Sequence, residues 1–380
     1  MVSVAHCSDY ALDHVRQSLQ TALAPLGGIG HFCQPGETVL LKVNLIMAKR
    51  PEEAATTHPA LVQALTELIQ THGCHVIIGD SPGGPFHPAL LKAVYQTTGM
   101  TQVAKETGAV LNFDTSQKEI PFPSGVQQKR LTIANYVLSA DRVFSVAKLK
   151  SHCMTKFTGA TKNLFGAIPG TVKAEYHFHC PSPEQFADAL IDICQCVQPS
   201  LSLLDGVWAM EGHGPTGGSP KWIGGFMASE SPYELDAVAA DLIGLDRAHY
   251  PMLDRMICRG LVPEDLSQIS LAGEDLEMLR PADFEIPKTS SIHFLGEHPP
   301  AFIASFVKKN LEPRPTFIKE KCIGCGTCVR NCPAHVLSLH HGLPQIDLAN
   351  CIRCFCCQEL CPATAVEIKR PFLLRLLGRF

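Results

Sequence analysis

The sequence CIGCGTCVRNCP, from Cys322 to Pro333, recurs in pattern as CIRCFCCQELCP, from Cys351 to Pro362. Every cysteine of the first stretch has a counterpart 29 residues later (322 to 351, for example). A cubane iron–sulfur cluster needs four converging thiolates. A CxxCxxC loop supplies three, and in the bacterial pattern the cysteine before proline ligates the other cluster. The repeat therefore predicts two [4Fe–4S] clusters, with the ligand sets Cys322, Cys325, Cys328 and Cys361 for cluster 1, and Cys351, Cys354, Cys357 and Cys332 for cluster 2.

The same cysteines could instead form zinc sites. Such sites seldom use a duplicated three-plus-one pattern with trailing prolines, so the cluster pair is favoured. Cys356 interrupts the repeat and is predicted not to be a ligand, because Cys357 keeps the register. Residues 336–339 and 345–347 flank a His-Gly pair and predict a short hairpin. Residues 316–370 resemble the two-cluster bacterial ferredoxin domain.

Composition sets limits on the class of protein. The 380 residues include 32 Lys and Arg against 36 Asp and Glu, and the formal charge of −4 gives no argument for nucleic-acid or membrane binding. Of 17 cysteines, those outside the two sets fit free thiols in a reducing cytoplasm. Residues 1–10 lack the basic segment of a signal peptide, and no apolar run approaches ~18 residues. We expect a cytoplasmic protein without a transmembrane segment, and oxygen-sensitive clusters would indicate anaerobic metabolism.

Apolar segments of strand length alternate with amphipathic segments along residues 1–312, which is typical of an α/β domain with a mainly parallel, doubly wound sheet. Strands are predicted at residues 2–5, 38–44, 75–79, 109–113, 142–147, 201–205, 222–228 and 269–272. Helices are predicted at residues 11–26, 57–71, 88–97, 100–107, 183–197, 232–242, 249–259 and 300–311. The remaining parts are a linker at residues 313–316, a small α+β ferredoxin-like two-cluster module at 317–370, and an apolar and basic tail at 371–380.

Polar residues follow two of the predicted strands. Lys42 and Asn44 share a face at the end of strand 38–44, and Asp80 and Ser81 begin a Pro/Gly-rich loop after strand 75–79. Ligands of open α/β sheets lie outside the carboxyl ends of the strands, so these residues are candidates for substrate binding. The alternative for the loop is an ordinary turn.

Lys148, Lys150 and His152 occupy alternate positions directly after an apolar strand, which places them on one face if the strand continues. Converging cations repel one another unless an anion lies among them, so we expect a carboxylate, phosphate or similar ligand. Lys162 and Asn163 complete this predicted anion site. The alternative is a solvated basic loop.

Two further segments carry candidate polar groups. His177 and His179 would share one face of an extended segment and form a metal pair, although two surface histidines are the alternative. Glu211 begins a glycine-rich loop that also contains His213. This loop could supply general acid or base groups, or it could be an ordinary surface loop.

An ordered set of motifs across residues 1–300 resembles domain-of-unknown-function family 362, which is often fused to a two-cluster ferredoxin module. The motifs are LKVN (41–44), THP (57–59), GDSPG (79–83), KLKSH (148–152), KNLFG (162–166), Lys173 with His177, and EGHGP (211–215). The chain departs from the family pattern at Val43, Ser151 and His213, where the resemblance implies Pro, Thr and Asn. It implies an iron–sulfur protein of anaerobic redox metabolism and does not fix one reaction.

The favoured hypothesis is an oxidoreductase that relays single electrons through two clusters to an anionic substrate or second cofactor in the α/β domain. The candidate catalytic residues are His152, Lys150 and His177, with either histidine as proton donor. The candidate substrate-binding residues are Lys42, Asn44, Asp80, Ser81, Lys148, Lys162, Asn163 and Glu211. A flavin is a further candidate cofactor, since cluster electrons arrive singly and most reductions need two, but no flavin motif is present.

The alternative hypothesis is an accessory protein that docks on a partner enzyme and reduces it. The tail at residues 371–380 would then be a docking helix or a weak membrane-surface contact, unless it packs on the protein itself. Structural clusters with non-redox chemistry are the third alternative. Under the first two hypotheses we expect a redox partner such as a ferredoxin, flavodoxin or reductase and no nucleic acid, while a homo-oligomer stays open.

Overall fold

The computed structural model describes residues 1–180, 182–287 and 313–369. Two units follow one another in these residues, an α/β domain up to residue 287 and a small cysteine-rich module from residue 313. The helix predicted at residues 300–311 and the tail at 371–380 lie outside the described residues.

In the described residues, ten strands form one sheet and six form three two-stranded sheets. In chain order the strands are β1 (Val2–His6), β2 (Thr38–Val43), β3 (His75–Gly79), β4 (Val110–Leu111), β5 (Gln117–Pro121), β6 (Arg130–Ala134), β7 (Arg142–His152), β8 (Lys156–Thr158), β9 (Leu201–Glu211), β10 (Ser219–Trp222), β11 (Gly225–Ser229), β12 (Leu271–Gly273), β13 (Arg314–Phe317), β14 (Leu337–His340), β15 (Leu343–Ile346) and β16 (Val366–Lys369).

Helices fill most connections between the strands of the large sheet. They are α1 (Leu12–Leu23), α2 (Ile29–Phe32), α3 (Pro59–Thr71), α4 (Pro88–Thr97), α5 (Met100–Thr107), α6 (Asn135–Leu138), α7 (Ala160–Asn163), α8 (Val172–His179), α9 (Pro183–Val197), α10 (Pro232–Leu242), α11 (Pro251–Cys258), α12 (Thr327–Arg330) and α13 (Cys356–Glu359). At the start of α3, the His58 side chain caps the helix and Pro59 occupies its first turn. None of the described helices has the length and apolar character needed to cross a bilayer.

The large sheet has the order β12-β1-β11-β9-β7-β2-β3-β4, with β10 added to β9 and β8 added to β7. Neighbouring strands from β9 to β4 run parallel. Only β11 on the main path runs antiparallel to both of its neighbours. The predicted mainly parallel α/β fold is therefore confirmed.

Two apolar cores lie on opposite faces of this sheet. In β2, Val39 and Leu41 pack with α1, α3, α4 and α5 on one face. Leu40 points to the other face, where α9, α10 and α11 pack. Because successive side chains of a strand alternate between faces, a central strand buried on both sides is mostly apolar, and the one buried charge of β2, Lys42, needs a partner inside the domain. The helices on both faces make the sheet doubly wound.

Several strand bounds differ from the predictions. β7 and β9 each have 11 residues, whereas the apolar pattern predicted only residues 142–147 and 201–205. The apolar patterns end at the charged residues Lys148 and Asp205, but both side chains are buried in the folded domain and the strands continue past them. The strand predicted at residues 222–228 divides into β10 and β11, because Gly224 between them has a left-handed φ of 87°. Of the strand predicted at residues 109–113, only the two residues of β4 are in a strand.

The small module contains two antiparallel pairs, β13 with β16 and β14 with β15. The pair β14–β15 is the predicted hairpin. The linker predicted at residues 313–316 is wrong in most of its length, because Arg314 to Phe317 pair with Val366 to Lys369. The linker prediction rests on Pro315, because proline is unfavourable inside most strands. Proline is tolerated, however, where a strand lies at the edge of a sheet.

The backbone of the module repeats with the cysteines. Left-handed φ angles at Gly324 (67°), Gly326 (70°) and His335 (52°) return 29 residues later at Arg353 (55°), Phe355 (58°) and Thr364 (48°). Helices α12 and α13 repeat at the same spacing. The two cysteine loops therefore share one conformation, with glycine at two turn positions of the first loop and larger residues in the second.

Candidate functional site

Three predicted site residues lie on β7, which continues to His152 as the alternating pattern requires. The side chains of Lys148, Lys150 and His152 are all buried. The pairing of β7 with β9 shifts register between Lys148 and Lys150. The three side chains consequently reach three different surroundings and do not share one anion.

Lys148 pairs with a carboxylate of the neighbouring strand. It lies in register with Asp205 of β9, and Nζ is 3.0 Å from Asp205 Oδ2. Nζ also donates to the hydroxyl of Tyr10 (2.8 Å), which donates to Asp205 Oδ1 (2.6 Å). Burial lowers the pKa of Lys148, and Asp205 opposes this effect. Lys148 therefore belongs to an internal network whose hydrogen bonds are satisfied within the protein.

Lys42 is likewise paired inside the domain. Its Nζ lies 2.7 Å from Asp80 Oδ1 and 3.1 Å from Asn163 Oδ1. A side chain at Gly166 would collide with both Lys42 and Asp80, so glycine is needed for the close approach. Burial lowers the pKa of Lys42, while Asp80 raises it. This pair fixes Asp80 and Asn163 at the carboxyl ends of β2 and β3.

Lys150 is a buried cation without a carboxylate partner in the described part of the chain. Its Nζ donates to Asn44 Oδ1 (2.8 Å) and to the carbonyl of Ala55 (2.7 Å). Burial and repulsion from Lys162 lower the pKa of Lys150 to about 7. Its ammonium group is therefore in balance with the neutral amine near neutral pH.

His152 connects the sheet to the cysteine-rich module. Its Nδ1 accepts backbone N–H groups of Met154 (3.0 Å) and Thr155 (3.2 Å), so the proton of the neutral ring lies on Nε2. Nε2 is 2.9 Å from Oε1 of Glu359 on α13, and neither atom has another hydrogen-bond partner in the described residues. Burial and the charge of Lys162 lower the pKa of His152 to about 4. His152 is therefore a neutral ring directed at Glu359.

Other residues next to Glu359 also contact the α/β domain. Gln358 Nε2 donates to the carbonyl of His213 (3.0 Å), and Thr216 Oγ1 donates to the carbonyl of Glu359 (3.1 Å). Leu360 packs so closely on Gly83 that a side chain at position 83 would collide with it. The second cysteine loop is thus seated on the carboxyl edge of the sheet.

A cleft with a cavity volume of about 110 Å³ lies between the two units. The α/β domain lines it with residues that include Asn44, Ile46, Asp80, Ser81, Gly83, Lys162, Asn163, Phe165, Lys173 and His177, and the module contributes Asn331, Cys356, Glu359 and Leu360. Clefts at domain interfaces with a few polar groups on apolar walls are typical ligand sites.

Lys162 and His177 are the cleft residues with unused polar groups. Lys162 has neither a hydrogen bond nor an ion pair to the described residues, and its Nζ lies 5.7 Å from the ring centre of Phe165. His177 is 6% exposed and stacks on Phe186, and its Nδ1 has no hydrogen-bond partner in the described residues. Burial lowers the pKa of His177 to about 4. Burial lowers the pKa of Lys162, and the charge of Glu359 opposes this shift. The cleft therefore offers a ligand one neutral imidazole and one lysine whose ammonium form a bound anion would stabilise.

Lys173, which also lines the cleft, is engaged with the loop after β3. Its Nζ donates to the carbonyl of Ser81 (2.7 Å) and to Ser81 Oγ (2.9 Å). Burial lowers its pKa to about 7, with Asp80 opposing the shift. The contact closes the Pro/Gly-rich loop onto the start of α8.

The eight predicted ligand cysteines surround two cavities of similar size. Cys322, Cys325, Cys328 and Cys361 line one cavity, and Cys332, Cys351, Cys354 and Cys357 line the other. These are the two crossed sets that the repeat predicts, and four thiolates around each cavity fit a cubane cluster. Cys356 lines both the second cavity and the cleft.

Some predicted site residues lie elsewhere or play another part. Glu211 accepts the backbone N–H of Glu285 (2.9 Å) and does not line the cleft. The extended segment predicted around His177 is the helix α8, on which side chains two residues apart point in different directions. His177 is therefore buried while His179 is exposed, and no described group of three or more His, Cys, Asp or Glu residues could hold a single metal ion.

The anion expected among the cations is supplied in large part by the protein. Asp80 meets Lys42, Asp205 meets Lys148, and Glu359 meets His152. Sequence reasoning missed Asp205 and Glu359. Asp205 could have been found because it is an acidic residue at the end of an apolar strand. Glu359 could have been found by comparing the two cysteine repeats, since its counterpart in the first repeat is the oppositely charged Arg330.

Comparisons with known proteins agree with this division into two units. Residues 39–241 match the family described as Domain of unknown function (DUF362), and residues 314–362 match a 4Fe-4S dicluster domain. A thylakoid-associated protein of Synechocystis sp. is 33% identical over 322 residues, which cover 82% of this chain and 97% of that protein. The lactate racemase apoprotein of Thermoanaerobacterium thermosaccharolyticum superposes with a TM-score of 0.41 at 15% identity, over 64% of this chain and 57% of that chain.

The dicluster match spans all eight repeated cysteines, which gives the module an iron–sulfur electron-transfer role. The motifs quoted above, from LKVN to EGHGP, fall within the match to the first unit. The chain therefore belongs to the DUF362 family and carries a ferredoxin-type 4Fe-4S dicluster domain after its α/β domain.

Proposed function

We propose that this protein is an iron–sulfur oxidoreductase that reduces a small anionic substrate in the cleft between its two units. The observation that carries the proposal is the position of Cys356, which borders both the second cysteine cavity and the cleft. A substrate in the cleft would lie next to the ligand set of cluster 2. The clusters would supply one-electron chemistry when bound.

Lys162 is the proposed binding group for the anionic part of the substrate. It is the lining cation that the described protein residues leave without a hydrogen bond or ion pair, whereas Lys173 is engaged with Ser81. An ammonium group in a partly dry cleft also stabilises negative charge that develops during reduction. Lys42, Lys148 and Lys150 have protein partners and are proposed to hold the site together.

His177 is the proposed hydrogen-bonding group for the reducible part of the substrate. Its low pKa makes it neutral near pH 7, so it acts as a neutral donor or acceptor and not as an imidazolium acid. His152 is less suited to this role, because its Nδ1 accepts two backbone N–H groups and its Nε2 faces Glu359.

A carbonyl, enoyl or aromatic group conjugated to a carboxylate fits these features. Reduction of a carbonyl or enoyl bond adds two electrons, which arrive singly, and two protons, which come from solvent through the cleft. The apolar walls around Ile46, Phe165 and Leu360 would cover the body of such a substrate. Seven of the nine cysteines outside the two sets are buried and form no disulfide in the described residues, which supports a reducing compartment such as the cytoplasm.

The test is substrate-dependent reoxidation of the reduced protein under anaerobic conditions. The reconstituted protein is reduced with dithionite, freed of excess reductant, and mixed with 2-oxo, 2-enoic or benzoic carboxylic acids while cluster absorbance is followed. We expect one of these classes to reoxidise the clusters, and Lys162→Gln to slow this at least tenfold with unchanged iron content. Reoxidation of the variant at the wild-type rate would exclude the cleft.

A matched control separates local from general effects. Lys118→Gln makes the same change at an exposed lysine of β5, outside the cleft. It should leave reoxidation unchanged. In the described residues no carboxylate lies within ion-pair distance of Lys162, but its charge lowers the pKa of the mostly buried Glu359. The thermal unfolding midpoint and iron content of Lys162→Gln should therefore be compared with those of the wild type, so that slower reoxidation can be assigned to the cleft.

A further inference from the structure

The two cysteine loops share one backbone conformation but differ in the residues that follow the left-handed turn. In the second loop, the residues that contact the α/β domain or line the cleft are Cys356, Gln358, Glu359 and Leu360. Their counterparts 29 residues earlier are Thr327, Val329, Arg330 and Asn331. The second loop therefore provides most of the module's contacts with the α/β domain, while the first loop contributes Asn331 to the wall of the cleft.

Residues of the first loop are exposed to solvent at positions where the equivalent residues of the second loop are half-buried. Ile323 is 69% exposed and Cys325 is exposed, whereas their counterparts Ile352 and Cys354 are half-buried. Leu339, which is 41% exposed, lies beside Gly326 at the tip of the same loop. The exposed apolar side chains of Ile323, which lines the first cysteine cavity, and of Leu339 therefore lie at the first loop.

The two halves of the module also differ in net charge, and the half that contains the first loop is the more positive. Residues 316–343 hold three Lys or Arg residues against one Glu, and residues 344–369 hold two against three Asp or Glu. Lys319 and Arg330 are exposed, and Arg330 lies beside the loop, where Nη2 donates to Thr327 Oγ1 (3.4 Å). A [4Fe–4S] cluster with four thiolates is anionic, so these cations offset the charge behind this surface and keep it from repelling an acidic protein.

We infer that the first-loop surface, formed by Ile323, Leu339, Lys319 and Arg330, is the docking surface for a small acidic one-electron carrier protein. The carrier is oxidised by one electron and the cluster held by the first cysteine set is reduced by one, while no bond forms or breaks. Electrons would then arrive at the exposed loop and leave at the loop that borders the cleft. This inference rests on the proposed electron-transfer function and adds its partner.

The experiment uses the full reconstituted protein and a flavodoxin hydroquinone as the acidic carrier. Stopped-flow spectroscopy measures the second-order rate constant of cluster reduction at low and high ionic strength. We expect Lys319→Glu with Arg330→Glu to lower this rate constant at least tenfold at low salt, with a smaller difference at high salt, because screening weakens charge effects. The control is Lys92→Glu with Lys105→Glu, the same charge change at two exposed lysines of α4 and α5.

Wild-type rates in the double variant, or an equal loss in the control, would overturn the docking surface. Iron content and reduction by dithionite should stay unchanged, which shows that the clusters are intact. Lys319→Glu alone lies outside the cysteine loop and replaces the double variant if Arg330→Glu loses iron. Reoxidation of dithionite-reduced protein by substrate does not involve the carrier, so it tests the proposed cleft separately.

Discussion

His152 Nε2 at the end of β7 lies 2.9 Å from Glu359 Oε1 on α13. Glu359 stands between Cys357 and Cys361, which belong to different cysteine sets. The ring of His152 cannot turn freely, because Nδ1 accepts two backbone N–H groups. This contact therefore joins the sheet to the segment that connects the two predicted cluster sites.

The first prediction concerns the charge of Glu359. Glu359→Gln removes a negative charge beside both cysteine sets, so electrons should be added more easily. We expect the midpoint potential of at least one cluster to rise, on the order of tens of millivolts for a charge at this kind of separation. A redox titration followed by electron paramagnetic resonance measures the change. Glu367→Gln, at an exposed acid on β16, should have a smaller effect, and equal shifts would contradict the prediction.

The second prediction concerns the crossed ligand sets. The reconstituted protein should hold about eight iron atoms per chain. Cys361→Ser should disturb the cluster held by Cys322, Cys325 and Cys328, and Cys332→Ser the other, although each replaced cysteine lies next to the opposite loop in sequence. Cys356→Ser should keep all eight iron atoms. Iron analysis with Mössbauer spectroscopy measures this, and loss of a cluster in Cys356→Ser would make Cys356 a ligand.

The third prediction concerns the buried pair of Lys148 and Asp205, whose side chains are both fully buried. Asp205→Asn leaves the charge of Lys148 without a counter-charge, which costs about 3–5 kcal/mol in buried pairs. We expect the thermal unfolding midpoint of the holoprotein, followed by circular dichroism, to fall by several degrees. The double variant Lys148→Met with Asp205→Asn should recover part of this loss. An equal midpoint in both variants would argue against the pair as the cause.

The fourth prediction concerns the neutral pH range. The pKa values of Lys150 and Lys173 are lowered to about 7 by burial, from an ordinary value of 10.5. In the folded protein both should lose a proton near pH 7, seen as two Cε shifts in protein labelled with [ε-¹³C]lysine. Lys150→Met and Lys173→Met should each remove one of these signals. Titration of both signals near pH 10 would disprove the shift.

The sign of the linked stability effect follows from these values. Between about pH 7 and pH 10.5 the unfolded chain binds more protons at these lysines than the folded chain does. Their contribution to the free energy of unfolding therefore rises with pH across this window and is lost below about pH 7.

The sequence predicts the parts of the site that depend on local pattern. The cysteine spacing anticipates which thiols surround each cavity, and the alternation of Lys148, Lys150 and His152 anticipates an extended β7. The partners of these residues depend on strand register and domain packing. Asp205, for example, is 57 residues from Lys148, and only the pairing of β7 with β9 brings the two together.

Two errors have the same physical origin. The segment around His177 has no clear period, and it becomes a helix where Lys173 is fixed to Ser81, 92 residues away in sequence. Arg314 to Phe317 contain Pro315 and follow Pro313, a pattern typical of a linker, but β16 supplies backbone partners that order them as a strand. In both cases tertiary contacts decide between local conformations that the sequence leaves nearly equal.

The cleft between the two units also bears on how such a gene can evolve. Because Lys162 and His177 come from one unit and Cys356 from the other, neither unit alone contains the whole cavity. Encoding both in one reading frame guarantees equal copy number and holds the halves at an effective concentration of roughly millimolar. A lineage that split this gene would need a strong new interface to rebuild the same pocket, so selection should preserve the fusion.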